Sequence, residues 1–306
     1  MFKANAPFGA HAFLNRVVIA GGDDRSPLAR RLIHHLIGNS ERRRDVTRQA
    51  VFQWQPAFQF EQFSEKDKID VRIHDALYGK LSKFKKKMLS GEPQLKSMFT
   101  DPERAKTFID QYTFADDLYN VAADMYCLPE LGVHFDDVFG EEGMINGFRS
   151  YNAAWCLWEG LMPGSRTAYW RLYPLLQNFL DEADEMIASG GSGLRLRFGH
   201  DSVVLPMAFI FGFQEAIHGT DDMEDLHNHF SIIRLIPMAA NIQLVFFRKE
   251  GSDDILVKFL MNENETSIPL KTDCYPYYHW SDVERYYRAM IEDAHLEYQT
   301  PADDED

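Results

Sequence analysis

The chain has little cysteine, no long apolar run and no excess of positive charge. Only three cysteines, Cys127, Cys156 and Cys274, occur in 306 residues, far apart and without C-x-x-C spacing. An odd, scattered set of that kind indicates neither a disulfide framework nor a zinc site. The longest apolar stretch, around Val203 to Phe213, is too short to span a bilayer. The opening Met1-Phe2-Lys3-Ala4-Asn5-Ala6-Pro7 has no basic segment followed by a hydrophobic one, so it does not read as a signal peptide. Lys and Arg number 32 against 47 Asp and Glu, a net charge of -15. Such a field disfavours nonspecific binding to nucleic acid or to an anionic membrane. An anionic ligand must therefore be drawn in by local basic side chains. No internal repeat is visible.

What is present is a hydrophobic fraction of 45% with 23 Phe and 13 Tyr, the composition of a packed globular protein. The length accommodates two subdomains. Arg16-Val17-Val18-Ile19-Ala20 reads as a short strand closed by Gly21-Gly22-Asp23-Asp24. A helix from Pro27 to Gly38 comes next, with Ser26 as N-cap. The charged run over 41–48 reads as a solvated helix end or loop, and residues 51–63 show no clear period. From Leu81 to Tyr126 the pattern is helical. Lys80, Lys83, Lys85, Lys86 and Lys87 read as surface decoration in preference to part of a phosphate cleft.

Asp101-Pro102 opens a helix running through Phe108, Tyr112 and Ala115, and Leu118, Val121, Ala122 and Met125 continue it as a core stripe. Ser165 caps a long helix over Arg166 to Ala188, stopped by Gly190-Gly191. Residues 242–247 and 255–260, joined by a polar turn, read as a β-hairpin. Ser281-Asp282-Val283-Glu284 is a capping box for a last amphipathic helix. The acidic tail 301–306 is expected to be disordered.

The most informative stretch is Leu194-Arg195-Leu196-Arg197-Phe198-Gly199-His200-Asp201-Ser202, continued by Val203-Val204-Leu205-Pro206. Alternation that breaks at Gly-His-Asp and turns helical reads as a strand ending in a polar turn. Ligands of open α/β sheets bind just beyond such strand ends. A His beside an Asp there can hold an anion and deliver a proton. On spacing alone, an ordinary surface turn with Asp201 as N-cap is the commoner arrangement. Arg195 and Arg197 leave one face of the strand and are expected to pair with helical carboxylates.

Residues 198–206 resemble the second catalytic motif of the histidine acid phosphatases, branch two of the histidine phosphatase superfamily, in the flavour of bacterial enzymes similar to multiple inositol polyphosphate phosphatases. The resemblance continues through Asn241-Ile242-Gln243-Leu244-Val245-Phe246-Phe247-Arg248, through residues 255–263, and ends with 273–283. It implies an α/β histidine-phosphatase-like core with an inserted α-helical subdomain. Residues 1–50 and 191–300 would form the core, 51–190 the mainly helical insertion and 301–306 the tail. By the same resemblance His200 binds a phosphate oxygen and Asp201 is the general acid. Arg25, with Arg31 six residues on, fits the family's phosphate-contacting arginine pair; solvated charges on a basic helix fit the same residues.

The family carries its nucleophile in an Arg-His-Gly-x-Arg motif on its first strand, and no Arg-His-Gly occurs in these 306 residues. The resemblance therefore implies a partial core lacking that strand, an apolar sheet edge favouring self-association, and little turnover by the chain as given. Family members attack through histidine, so no cofactor and no metal is implied. The implied partner is a small phosphorylated substrate such as an inositol or sugar phosphate. The chain itself does not indicate a location, and the resemblance implies the periplasm or the extracellular space if an N-terminal part is missing. Three functions stay open: a phosphomonoesterase, a non-catalytic phosphate-ligand binding pseudophosphatase, and an incomplete domain with no function of its own. An in-frame Arg-His-Gly ahead of Met1 would separate the first from the other two.

Overall fold

The computed structural model describes residues 13–21, 70–125, 128–190, 193–217 and 219–299. In chain order these carry β1 (Phe13–Gly21), α1 (Val71–Met88), α2 (Glu92–Met98), α3 (Pro102–Ala105), α4 (Gln111–Met125), α5 (Asp136–Trp158) and α6 (Thr167–Ser189). Then come β2 (Leu194–Gly199), α7 (Asp201–Ile210), β3 (Asn241–Arg248), β4 (Ile255–Met261), β5 (Asn264–Glu265), β6 (Tyr278–His279) and α8 (Trp280–Gln299). The described residues divide into a sheet unit, with β1, 166–217 and 232–299, and a helical unit, 70–165 with 219–231. The architecture is an α/β core with a helical insertion, as expected.

The sheet runs in the order β2-β1-β3-β4-β5, with β6 added onto β4. β1 and β2 are parallel, Arg16 opposite Leu194 and Gly21 opposite Gly199. A parallel neighbour requires a long crossover, and here residues 70–165 of the helical unit lie within it. The anticipated hairpin is present, β3 and β4 pairing antiparallel with Arg248 opposite Ile255. Gly251 sits at φ 75° in the connecting turn, a conformation that favours glycine. Ile242, Leu244, Val257 and Phe259 are buried from this hairpin. Phe211 stacks on Phe213, and both meet Phe259. Tyr287 of α8 seals the cluster by donating its hydroxyl to the Phe211 carbonyl at 2.7 Å. Burial pushes the pKa of that phenol well above its ordinary value.

The sequence places residues 167–189 in the insertion, whereas α6 belongs to the sheet unit. Its polar face explains the difference. Arg288 of α8 pairs with Asp181 at 2.9 Å and with Asp184 at 2.5 Å, and Trp280 donates to Asp184 at 2.8 Å. The helix begins at Thr167 with Arg166 at the N-cap position and ends at Gly190, φ 69°. The stop signal is thus as expected, and the start one residue later. The capping box is not formed: α8 starts at Trp280, Ser281 lies inside its first turn, and Asp282 pairs with Arg285. Residues 301–306, 41–48 and the expected helix over 27–38 lie outside the described residues.

In the helical unit the expected helix from Asp101 is broken in two. Asp101 caps as anticipated, accepting from the Arg104 N–H at 3.0 Å, but α3 ends at Ala105. Asp110 then accepts from the Thr113 N–H at 2.9 Å as α4 begins. A second capping carboxylate restarts the helix, and Phe108 between the two is 69% exposed. The core stripe of α4 is Ala115, Tyr119 and Ala122, an i, i+4, i+7 set. Val121, assigned to that stripe from sequence, is 47% exposed. Tyr119 meets Phe139 edge-on, with ring centroids 6.2 Å apart. No helix among the described residues is long and apolar enough to cross a membrane.

Gly147 of α5 lies against the Tyr119 ring so closely that a Cβ there would fall 2.1 Å from Tyr119 Cδ2. Gly147→Ala should therefore destabilise the protein despite the roughly 1 kcal/mol helix-propensity gain. Overpacking of a filled core costs about 1–3 kcal/mol, and the 2.1 Å approach puts this site at the upper end, so urea unfolding should show a net loss of up to about 2 kcal/mol.

Candidate functional site at the strand ends

β1 and β2 end together, since Gly21 and Gly199 are the last paired residues. The His200-Asp201 pair therefore follows β2 at the end of the sheet where β1 also ends. Arg25 and Arg31 themselves lie outside the described residues.

His200 is the N-cap residue of α7, extended at φ -96°, ψ 167°, with no side-chain capping bond. Its carbonyl accepts from the N–H groups of Val203 and Val204 at 3.0 and 3.2 Å. The cap is thus His200, where the residues alone suggested Asp201. Asp201 occupies the first helical position, and its Oδ1 accepts the Ser202 N–H at 2.8 Å. Both side chains are exposed. Behind them Val203, Val204, Leu205, Met207 and Ala208 are buried almost completely. The apolar body of α7 anchors a helix whose first turn presents one imidazole and one carboxylate to solvent. Helix N-termini favour negative ligands through their free N–H groups and the dipole.

The strand leading into this turn is held from α6. Arg197 pairs with Glu182 at 2.7 Å, both side chains largely buried. It also donates to Asn178 and lies over the Phe179 ring at 4.9 Å. Burial lowers its pKa, and the Glu182 carboxylate works against that shift. The expected pairing with a helical carboxylate is present for Arg197. Two supporting groups escaped the sequence reading. Asn241 stands opposite Ala20, near the end of β1. It is buried, and its Oδ1 accepts from Gln243 Nε2 at 2.9 Å. The only available signal was polar residues at the head of an otherwise apolar strand.

The lysine cluster of α1 is largely committed elsewhere. Lys85 pairs with Asp116 at 2.5 Å and lies over the Trp158 ring. Lys86 lies over Tyr112, and Lys87 pairs with Glu224 at 2.5 Å. Lys85 and Lys86 also line a cleft of about 370 Å³ within the helical unit, with Tyr78, Asp110, Asp116 and Trp158. Their neighbours offset much of the positive charge that an anion would need.

Residues 86–262 match the histidine phosphatase superfamily (branch 2). The chain belongs to that superfamily. The matched stretch takes in β2, His200, Asp201, α7 and the β3–β4 hairpin. Residues 273–283, on which the resemblance also rested, and Arg25 and Arg31 fall outside it. No curated protein matches. Among solved structures, the chain is similar to the Bifidobacterium longum multiple inositol polyphosphate phosphatase in complex with inositol hexasulfate. The two share 23% identity with a TM-score of 0.46, over 57% of this chain and 38% of that one. The chain thus spans well under half the length of that protein.

The β2 support can be tested. Glu182→Ala leaves the Arg197 charge without its carboxylate and should cost up to about 3 kcal/mol, the low end for breaking a buried pair. Replacing both members, Arg197→Met with Glu182→Leu, should recover most of that loss in urea unfolding.

Proposed function

We propose that the chain carries the phosphate-binding and proton-donating part of a histidine-phosphatase site for small phosphomonoesters, inositol or sugar phosphates. The observation that carries this reading is the His200-Asp201 pair, exposed on the first turn of a buried helix at the shared end of two parallel strands. In this reading an N–H of the His200 ring donates to a non-bridging phosphate oxygen and strengthens as charge develops there. Asp201, protonated, gives its proton to the departing alcohol oxygen. Arg25, by the family resemblance, would supply a forked guanidinium to the remaining oxygens, and Arg31, six residues on in sequence, would be the second substrate-binding arginine.

The net charge of -15 makes such local donors necessary. A phosphoryl acceptor is also needed, and the family's Arg-His-Gly is absent from these 306 residues. That absence favours phosphate-ligand binding without turnover as the behaviour of the chain itself. General-acid help alone is worth only about 10²–10⁴-fold.

Phosphate release from phytate and from an aryl phosphate, monitored from acidic to neutral pH, should be negligible. Calorimetry should still detect phytate binding, weakened roughly tenfold or more in His200→Ala by loss of one charge-assisted hydrogen bond of about 1.5–3 kcal/mol. Robust turnover abolished by His200→Ala would mean that another residue supplies the nucleophile. Binding indifferent to His200→Ala would remove the phosphate role of this edge.

A further inference from the structure

A second constellation of chemically active side chains lies at the other end of the sheet. β1 and β3 are antiparallel, with Leu14 opposite Phe247 and Ala20 opposite Asn241, and Phe247 is in turn opposite Leu256 of β4. Leu256 pairs with His279 of β6. From the row of Leu14 to that of Gly21 the strand rises roughly 23 Å at about 3.3 Å per residue. His279 therefore stands far from the His200 edge, and its chemistry is independent of the phosphatase reading.

Around His279 three donors of different chemistry converge. Its Nε2 is 3.1 Å from Asp273 Oδ1 and 3.8 Å from Cys274 Sγ. One ligand atom from each of Asp273, Cys274 and His279 lies within 4.8 Å of the others. A tetrahedral zinc with bonds of about 2.0 Å to N and O and about 2.3 Å to S sets its donors about 3.3–3.5 Å apart. The two spacings from His279, 3.1 and 3.8 Å, lie within a few tenths of an ångström of that. The other ring nitrogen, Nδ1, faces the Asp254 carboxylate at 3.0 and 3.1 Å. A carboxylate on the far nitrogen fixes the tautomer of a metal-binding histidine and turns its free lone pair toward the ion. The loop is held in shape independently. Thr272 Oγ1 donates to the Tyr277 carbonyl at 2.8 Å, and the Tyr277 N–H donates to the Cys274 carbonyl at 3.0 Å.

We propose that Asp273, Cys274 and His279 form a site for a borderline-soft divalent cation of the Zn²⁺ type, with Asp254 as the positioning residue for His279. Mixed sulfur, nitrogen and oxygen donors select such an ion over Mg²⁺ or Ca²⁺. On binding, the Cys274 thiol gives up its proton to solvent and the thiolate bonds the metal, with water at the fourth position. The ion would cross-link the loop that leads into β6 and α8, while the Asp254 contact ties it to the β3–β4 turn. Cysteine spacing alone missed the site because only one of its ligands is a cysteine.

The full chain should be titrated with Co²⁺, then with Zn²⁺ as competitor. One equivalent of Co²⁺ should give a thiolate-to-cobalt charge-transfer band in the near ultraviolet and tetrahedral bands in the visible, all displaced by Zn²⁺. Cys274→Ser should abolish the charge-transfer band, and His279→Ala should weaken Zn²⁺ binding. Asp254→Asn retains all three ligands and should weaken binding by about 10–100-fold. Asp273→Asn provides a second ligand variant should Cys274→Ser fail to fold by circular dichroism. Absence of the charge-transfer band, its persistence in Cys274→Ser, or Zn²⁺ affinity unchanged in the ligand variants would overturn the proposal.

Discussion

The parallel pairing of β1 with β2 is the constraint on which the rest of the structure depends. It forces the chain out of the sheet and back, and the crossover is long enough to hold residues 70–165 of the helical unit. It also makes both strands end together, Gly21 opposite Gly199. A hairpin between the same two segments would have put their ends at opposite edges. Backbone hydrogen bonding, a force indifferent to side-chain chemistry, thus decides where the chemistry can be assembled.

Side chains then stiffen that arrangement. Arg197 is a charge placed on a strand that a parallel sheet would ordinarily make apolar, and it is tolerated because Glu182 and Asn178 meet it from α6. The same helix anchors α8 through Arg288 and Trp280. One amphipathic helix therefore braces both the strand that leads to His200 and the C-terminal helix. The apolar body of α7 has the complementary part, fixing by burial a first turn that is itself solvent-exposed.

The two ends of the sheet differ in kind. At the parallel end the exposed groups are a histidine and a carboxylate on a helix N-terminus, suited to an anion. At the hairpin end a histidine is flanked by carboxylates and a thiol, suited to a cation. Charge composition would have averaged these into a single acidic protein. Separation along the strands lets one sheet carry opposite local chemistries without either neutralising the other.

Much of this was legible in the sequence. The alternation from Leu194 to Phe198, the break at Gly199 and the turn to a helical pattern located β2, His200 and α7, because strand and helix periods are local properties. The hairpin, the Gly190 stop and the Asp101 cap were legible for the same reason. Local signals failed where tertiary contacts chose between equivalent options. Nothing in the periodicity said that Tyr119 and not Val121 would face inward, which depended on Gly147 opening space for its ring. Assigning residues 167–189 to the sheet unit required partners in α8, distant in sequence. The convergence of Asp254, Asp273, Cys274 and His279 arose from β6 pairing with β4. The sequence alone determined β2, the β3–β4 hairpin, the body of the long helix α6 and the polar turn that ends β2, since backbone propensity and hydrophobic period act over a few residues. Only the tertiary structure decided which faces are buried and which reactive side chains meet, because those depend on contacts that no local pattern encodes.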